Sequence, residues 1–537
     1  MTETGVLIAG AGPVGLALAV DLGRRGIPCI VVERSDGVIR HPRATAQNAR
    51  TMEFFRRWGI ADTVKNAGAP PDFPHTVLYV TNLNGFEIAR FDRAAHGGTK
   101  AAETSPERPQ RVNQLWLDPI LAELAASYDS VTLRYRCEFD SFVEHDDRIV
   151  ASVHEGDSRE EIAASYLIDA TGTRGSIRRS LGVEMEGRAG LDYNLSIFFR
   201  LPALWEYHDK GKAALHFFVD SKGMKRNLIQ LDGRELWRLG VCDQALYEHP
   251  ETADVGALLT EAIGRPVPFE LIGVSPWTAH DLVATSYGTR RVLFAGDAAH
   301  LNPPDGGFGL NTGMGDAIDL GWKLSAVLAG WASPGLLASY ESERRPVAAR
   351  NVRQSTENHL RAAQMPIDPA IADDSLAGAA AREALGDHIR RVQSRTFISD
   401  GTALGYVYHD SPVICPDGSP PPEDTIMEYH PTSRPGARAP HAWLADGRSI
   451  LDLFGTNYVL LRFGSDAPST DAMAAAFHQR GVPLHVETID DPTTRTLYEK
   501  RFALVRPDGH VAWRGDAIPG QPGGIVDVVR GAAVAAQ

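Results

Sequence analysis

The sequence predicts an α/β fold of three units: a Rossmann-like unit first, an antiparallel β-sheet in the middle, and a second α/β unit last. Three observations predict it. The chain opens on an apolar run, a glycine-rich turn and a helix, the order of a βαβ unit. Roughly residues 190–282 become short apolar runs separated by turn residues, as in an antiparallel sheet. After a proline-rich stretch, strand-like runs alternate with helical ones again.

Bulk properties narrow the function. A chain of 537 residues is too long for one core. Its net charge of -14 argues against nucleic acid as a partner, which needs a basic field. The cysteines Cys29, Cys137, Cys242 and Cys415 form no CxxC and no zinc spacing, so we expect a reducing compartment and no metal site. Val6–Gly23 is apolar but lacks a basic start and holds Asp21, so it does not read as a signal peptide. No run is long enough for a membrane span, and the expected location is cytoplasmic, with no membrane partner.

"GVLIAG" suits a buried parallel strand. Gly10-Ala11-Gly12-Pro13-Val14-Gly15 follows, then Leu18 and Leu22 continue one apolar helix face to Gly26. "IPCIVVER" is the next strand, with Glu33 at its end. Gly10 makes the tight turn, Gly12 admits a pyrophosphate to the backbone, and Gly15 lets helix meet strand. Glu33 stands where a carboxylate accepts the ribose hydroxyls of an adenosine. These features together predict dinucleotide binding.

"GDAAHLNPPDGGFGLNTG", Gly296–Gly313, lies between the strand-like "RRVLFA" and the helical "MGDAIDLGWKL". Glycines let backbone approach a ligand, prolines fix the approach, and a helix start offers unpaired N–H groups. The dinucleotide unit occurs once, so no separate nicotinamide domain is expected. A dinucleotide held by both segments fits FAD, with ADP at the first and the isoalloxazine ring at the second.

"GAGPVG" with Glu33-Arg34, "RRVLFAGDAAHLNPPDGGFGLNTGMGDAIDLGWKL" and "YESERRPVA" together resemble the single-component FAD-dependent aromatic hydroxylases of the p-hydroxybenzoate hydroxylase fold. "RPGARAPHAWL", "LDLFG" and "RPDGHVAWRGD" resemble the C-terminal thioredoxin-like domain of the phenol and aromatic-polyketide branch, and also the flavin monooxygenases of indolocarbazole biosynthesis. The resemblance implies a GR2-type FAD-binding domain over 1–75, 105–185 and 283–365. It implies a substrate domain over 76–104 and 186–282, a helical connector and linker over 366–430, and a thioredoxin-like domain over 431–537.

It further implies FAD contacts from Gly10, Gly12, Pro13, Val14, Gly15, Glu33, Arg34, Arg43, Gln114, Gly172, Gly296 and Asp297. Pro304, Gly307, Gly309, Leu310 and Asn311 would face the flavin, the last three through backbone N–H groups. Such groups at a helix start stabilise the negative charge of reduced flavin. Pro303 and Pro304 stiffen the approach beside the reactive edge of the ring. The implied chemistry is hydroxylation of a phenolic or polycyclic aromatic through an FAD C4a-hydroperoxide. NADPH or NADH and O2 are the co-substrates, and a homodimer is the assembly usual in such families.

Two departures stand out. Thr171-Gly172 occupies the place of the family's Asp-Gly pair, and Gly175 that of its serine. Asp305 replaces a common Thr or Ser beside the oxygen-reacting face. Candidates to ionise the substrate are Asp305, His216 and Tyr193, and a carboxylate at 305 could equally cap the next helical turn. His300 reads as structural. His216 and Phe218, or else Asn227 and Ile229, would line the pocket by alternation, and Trp237 and Arg238 face opposite sides. Alternatives are a flavin oxidase or reductase on the same fold, and a non-catalytic flavin-binding partner in a biosynthetic complex.

Overall fold

The computed structural model describes residues 2–92 and 101–533, and the side chains of all of these except residues 101–102. Part of the expected 76–104 segment and the last four residues of the thioredoxin-like segment lie outside the described residues. The chain begins with β1 (Thr2–Ala9), α1 (Pro13–Gly23) and β2 (Cys29–Glu33). Next come α2 (Ala49–Arg57), β3 (Val77–Val80), β4 (Glu87–Phe91) and α3 (Gln114–Ala126). They lead to β5 (Val131–Tyr135), β6 (Cys137–Glu144), β7 (Ile149–Glu155) and β8 (Ser158–Asp169).

The long strand β9 (Met185–Arg200) opens the middle region, followed by β10 (Leu215–Asp220), β11 (Gly223–Gln230) and β12 (Leu236–Cys242). α4 (Val255–Ile263) and β13 (Glu270–Ala284) complete it. The chain then returns through β14 (Val292–Phe294), β15 (His300–Leu301), α5 (Phe308–Leu328), α6 (Pro334–Ala363) and α7 (Leu376–Phe397). The last unit holds β16 (Tyr458–Phe463), α8 (Asp471–Gln479), β17 (Leu484–Ile489), β18 (Phe502–Val505), β19 (Val511–Gly515) and α9 (Gly523–Val529).

β1 pairs in parallel with β2 and β8, and β14 joins β8 in parallel. The resulting sheet runs β5-β2-β1-β8-β7-β6. Val6, Leu7, Ile8 and Ala9 are fully buried and share one core with Leu16, Leu18 and Leu22 of α1 and Met314, Ile318 and Leu320 of α5. The eight-stranded sheet runs β15-β13-β9-β12-β11-β10-β3-β4. Its strands alternate side chains between two faces. Leu78, Leu195, Ile197, Phe218, Trp237 and Leu239 form one apolar face, sealed by α4 through Leu259 and Ile263. Tyr79, Phe198, Phe217 and Ile229 form the other, which α6 and α7 cover in part through Ala362, Leu385 and Ile389.

The C-terminal sheet runs β17-β16-β18-β19, with β16 parallel to β17 and antiparallel to β18. Its attachment to the first unit is ionic and buried. Arg506 leaves the β18–β19 turn and meets Glu343 of α6 at 2.6 Å and Asp319 of α5 at 3.2 Å, while Lys323 meets the same two carboxylates. Arg50 and Arg57 of α2 donate to the carbonyls of Asp508 and Pro507 at 2.7 Å. Breaking such a buried set by removing one member strands charge, at a cost of about 3–5 kcal/mol. The unit is therefore fixed to the helices that carry the site.

Candidate functional site

The first wall of the site is built by glycines. Gly10 has φ +108°, and a Cβ there would lie 2.3 Å from the Ala170 carbonyl oxygen. A Cβ on Gly15 would lie 2.0 Å from the Gly10 carbonyl, so α1 can approach β1 only with glycine at that position. Among the described residues nothing lies within 4 Å of a Cβ on Gly12, which caps α1 with no side-chain hydrogen bond. Pro13 takes the first helical position, where its missing N–H costs nothing. Glu33 accepts from Ala11 N at 3.0 Å and Ser35 N at 2.9 Å, which fixes its carboxylate at the end of β2, and Arg34 beside it is exposed.

The second wall is the Gly296–Gly313 segment. Val14 wedges between Gly296 and Gly313, where added Cβ atoms would lie 2.9 and 2.5 Å from its methyl, so α1 and α5 start side by side. α5 begins at Gly307 (φ +68°) with no side-chain cap. A Cβ on Gly309 would have only Asn302 near it, at 3.8 Å, so backbone there is approachable. Leu310 packs against the first core, and Pro304 is exposed. Asn311 spends its side chain on the scaffold: Oδ1 accepts from Asn48 N (2.9 Å) and Thr51 Oγ1 (2.7 Å), and Nδ2 donates to Ala46 O (3.0 Å) and Gly307 O (2.6 Å). What it leaves for a ligand is its backbone.

Asp297 is exposed in this cleft and, among the described residues, makes no hydrogen bond or ion pair; the surrounding protein raises its carboxyl, against the pull of His300 and Arg43. His300 is fully buried and meets Asp316 at 2.8 Å, and Asp316 in turn binds Arg344 at 2.9 Å and accepts from Gly296 N at 3.1 Å. His300 is thus a structural residue of the loop.

Between the two walls lies Arg43, exposed, with Gln114 opening α3 nearby: Gln114 N donates to Ala44 O at 3.2 Å. Two residues that sequence reasoning missed complete this corner. Asn113 caps α3 and donates to the Arg43 carbonyl at 3.3 Å. Asp118, buried with Oδ1 unpartnered among the described residues, is pushed up to about 7 by burial, with Arg43 opposing. Its spacing of four from Gln114, one helical turn, was the available signal.

Gly172 follows β8 in a short turn with φ +75° and open space around it. The carboxylate of Asp169 folds inward, accepting from Thr171 N (3.0 Å), Thr171 Oγ1 (2.6 Å) and Arg178 N (3.2 Å). It braces the turn and does not stand in for the acid that Thr171 replaces.

Opposite these walls lies the open face of the eight-stranded sheet, and here two expectations are corrected. His216 is not in the cleft. It is fully buried on the sealed face between Trp237 and His208, and burial pushes it down to about 3. Phe218 shares that face, so Asn227 and Ile229 form the pair directed to the cleft side. Tyr193 also points away, packing on Tyr247, because its neighbour Asp192 points to the cleft side.

Arg238 lies on the cleft side. Its Nε donates to Ser196 Oγ at 2.7 Å, its guanidinium lies 5.8 Å over the Trp277 ring, and burial pushes it down to about 10. Among the described residues no carboxylate pairs with it. Beside it, Trp277 Nε1 and His41 Nε2 are buried without partners among the described residues. Burial and the charges of Arg238 and Arg43 push His41 down to about 4, so this imidazole is neutral at neutral pH. Asp305 belongs to the second wall, in the loop before α5, with Oδ2 held by His359 Nδ1 at 2.8 Å.

The arrangement fits FAD: two uncapped helix starts, open space over Gly12, a fixed Glu33 and a free Asp297. Comparisons with known proteins agree. A family model described as FAD binding domain matches residues 3–355, and one described as aromatic-ring hydroxylase, C-terminal, matches 432–532. The chain is 32% identical to a tetracenomycin B2 monooxygenase-dioxygenase of Streptomyces olivaceus, covering 98% of both chains. It is 32% identical to a 4-methyl-5-nitrocatechol 5-monooxygenase of a Burkholderia species, covering 95% of this chain and 94% of that one. Among solved structures, the rebeccamycin biosynthetic enzyme RebC with bound 7-carboxy-K252c superposes with TM-score 0.91 at 40% identity, covering 99% of this chain and 100% of that one.

Proposed function

The chain belongs to the FAD-dependent aromatic-ring hydroxylases, with FAD as its cofactor, and from that premise we propose an NAD(P)H- and O2-dependent monooxygenase whose substrate is a polycyclic aromatic bearing an anionic group. The observation that carries this reading is Arg238. A guanidinium partly withdrawn from water with no counter-ion is costly, and a ligand carboxylate or phenolate would offset that cost. The buried Trp277 Nε1–H supplies a second donor beside it. Phe198, Phe217 and Trp277 supply flat apolar surface for the rings. The bound 7-carboxy-K252c of the RebC structure is itself a carboxylated compound, which supports the same class.

Bound FAD would supply hydride acceptance and oxygen activation. This chain's part is to hold it at Gly12, Glu33, Arg43, Asp297 and the α5 start, to orient the ring under the sheet, and to exclude water. The α5 N-terminus would lend positive potential to a bound flavin, whose reduction adds negative charge.

The test is to mix FAD-loaded protein without oxygen with NADPH or NADH, alone and with carboxylated polycyclic aromatics. One compound should speed flavin bleaching by orders of magnitude, and admitting O2 should then give a product heavier by one oxygen atom. Bleaching with no oxygen in the product would favour an oxidase or reductase. No bleaching by either nicotinamide would favour a non-catalytic flavin-binding partner, with Thr171 as the residue to examine first.

A further inference from the structure

We infer that His359 is a positioning residue, an imidazolium clasp that joins the loop leading into the α5 start to the cleft face of the eight-stranded sheet. The inference rests on the placement of FAD proposed above. His359 lies on the last turn but one of α6 and reaches two carboxylates on two different elements. Its Nδ1 lies 2.8 Å from Asp305 Oδ2, in the loop before α5, and its Nε2 lies 2.9 Å from Asp192 Oδ2, on β9.

A neutral imidazole has one N–H and cannot donate to both acceptors. The geometry therefore calls for the doubly protonated cation. The hydrogen bonds to Asp192 and Asp305 hold the ring charged, with its pKa raised to about 10 against the opposing effect of burial. Other titratable groups facing the clasp are Lys225 of β11 and Cys242 of β12, both next to Asp192, and Tyr79 of β3, near Asp305.

Over residues 355–363, the last turns of α6, the other links to these walls are longer and neutral on the helix side; nearer its start, Arg344 donates to Thr312 O at 3.0 Å and Arg345 meets Glu186 of β9 at 2.9 Å. Asn302 Nδ2 reaches Ser355 Oγ at 3.4 Å, Asn358 Nδ2 reaches the Asp305 carbonyl at 3.4 Å, and Thr356 Oγ1 reaches Asp281 at 3.3 Å. His359 is the charged member of the set. It fixes how far the Pro303–Asp305 loop stands from the sheet, and so the height of the space between flavin and substrate face. On this reading Asp305 holds the loop in place and does not deprotonate the substrate.

The test is the dissociation constant for FAD, measured on the full chain from about pH 6 to about pH 11, in wild type, Asp192→Asn and His359→Gln. In wild type the affinity should hold until the clasp loses its proton near pH 10. In Asp192→Asn, with one carboxylate gone, that loss should move down by about 1–3 pH units. His359→Gln can no longer carry the charge; it should bind FAD about tenfold more weakly at neutral pH and lack this alkaline limb. The flavin's own titration is common to all three and drops out of the comparison. Should His359→Gln fail to fold, Asp192→Asn carries the test alone. If FAD binds and all proteins share one pH profile, the clasp is refuted. If wild type binds no FAD at any pH, the placement of the cofactor fails instead.

Discussion

The two faces of the eight-stranded sheet use similar residues for opposite ends. The sealed face holds His216 and Trp237, and the cleft face holds Arg238 and Trp277. His216 is wholly inside an apolar cluster, where burial keeps it neutral, and among the described residues its Nε2 has no partner. Arg238 keeps its proton at neutral pH, and among the described residues its charge has no counter-ion. The lesson is that an orphaned polar group marks a ligand only when the space in front of it is open. The same deficit under a lid of leucines marks a tolerated core residue.

Substitution can break this contrast. The largest effect should come from the tryptophans. Trp237→Ala removes a fully buried ring from the sealed core and should cost about 3–5 kcal/mol of stability, read by denaturant unfolding. Trp277→Ala, half-buried at the cleft, should cost far less stability and act on ligand affinity. Equal losses of stability would erase the distinction between the faces.

Arg238→Met keeps the side-chain volume and removes the charge. Affinity for a carboxylated polycyclic aromatic should fall about a hundredfold, or about 2.7 kcal/mol, with the melting temperature unchanged or raised. A lower melting temperature with intact affinity would make Arg238 a core residue after all.

His216→Leu sharpens the contrast through pH. His216 in the folded protein stays neutral down to about pH 3, whereas the unfolded chain takes up the proton near pH 6.5. Its contribution is therefore complete above about pH 6.5 and is lost as pH falls toward about 3. The leucine variant should lose stability more slowly over that acid window, while its kinetics at neutral pH stay those of wild type. The smallest effect belongs to Ser196→Ala, which removes one neutral partner of Arg238 and should change ligand affinity by no more than about 1.5 kcal/mol.

The two glycine-rich walls were legible in the sequence because backbone geometry marks them. Gly10, Gly12 and Gly15 announce a close approach by what they lack, and the prolines and glycines of Gly296–Gly313 do the same. The substrate half was legible only in frame. Alternation told that His216 and Phe218 share a side, and that Trp237 and Arg238 do not, but the side itself is set by α4, α6 and α7, which lie elsewhere in the chain. Side-chain partnerships across long separations, such as Asn311 with Asn48 or Arg506 with Glu343, left no local pattern to read.

On the function proposed above, Arg238 recognises an anion in the cleft. That role is tested most directly by equilibrium binding of a polycyclic aromatic carboxylic acid and its methyl ester to the FAD-loaded protein and to its Arg238→Met variant. The acid should bind wild type at least about tenfold more tightly than the ester, and the variant should bind both alike. Equal binding of acid and ester by wild type, or a preference that survives in the variant, would rule out that role for Arg238.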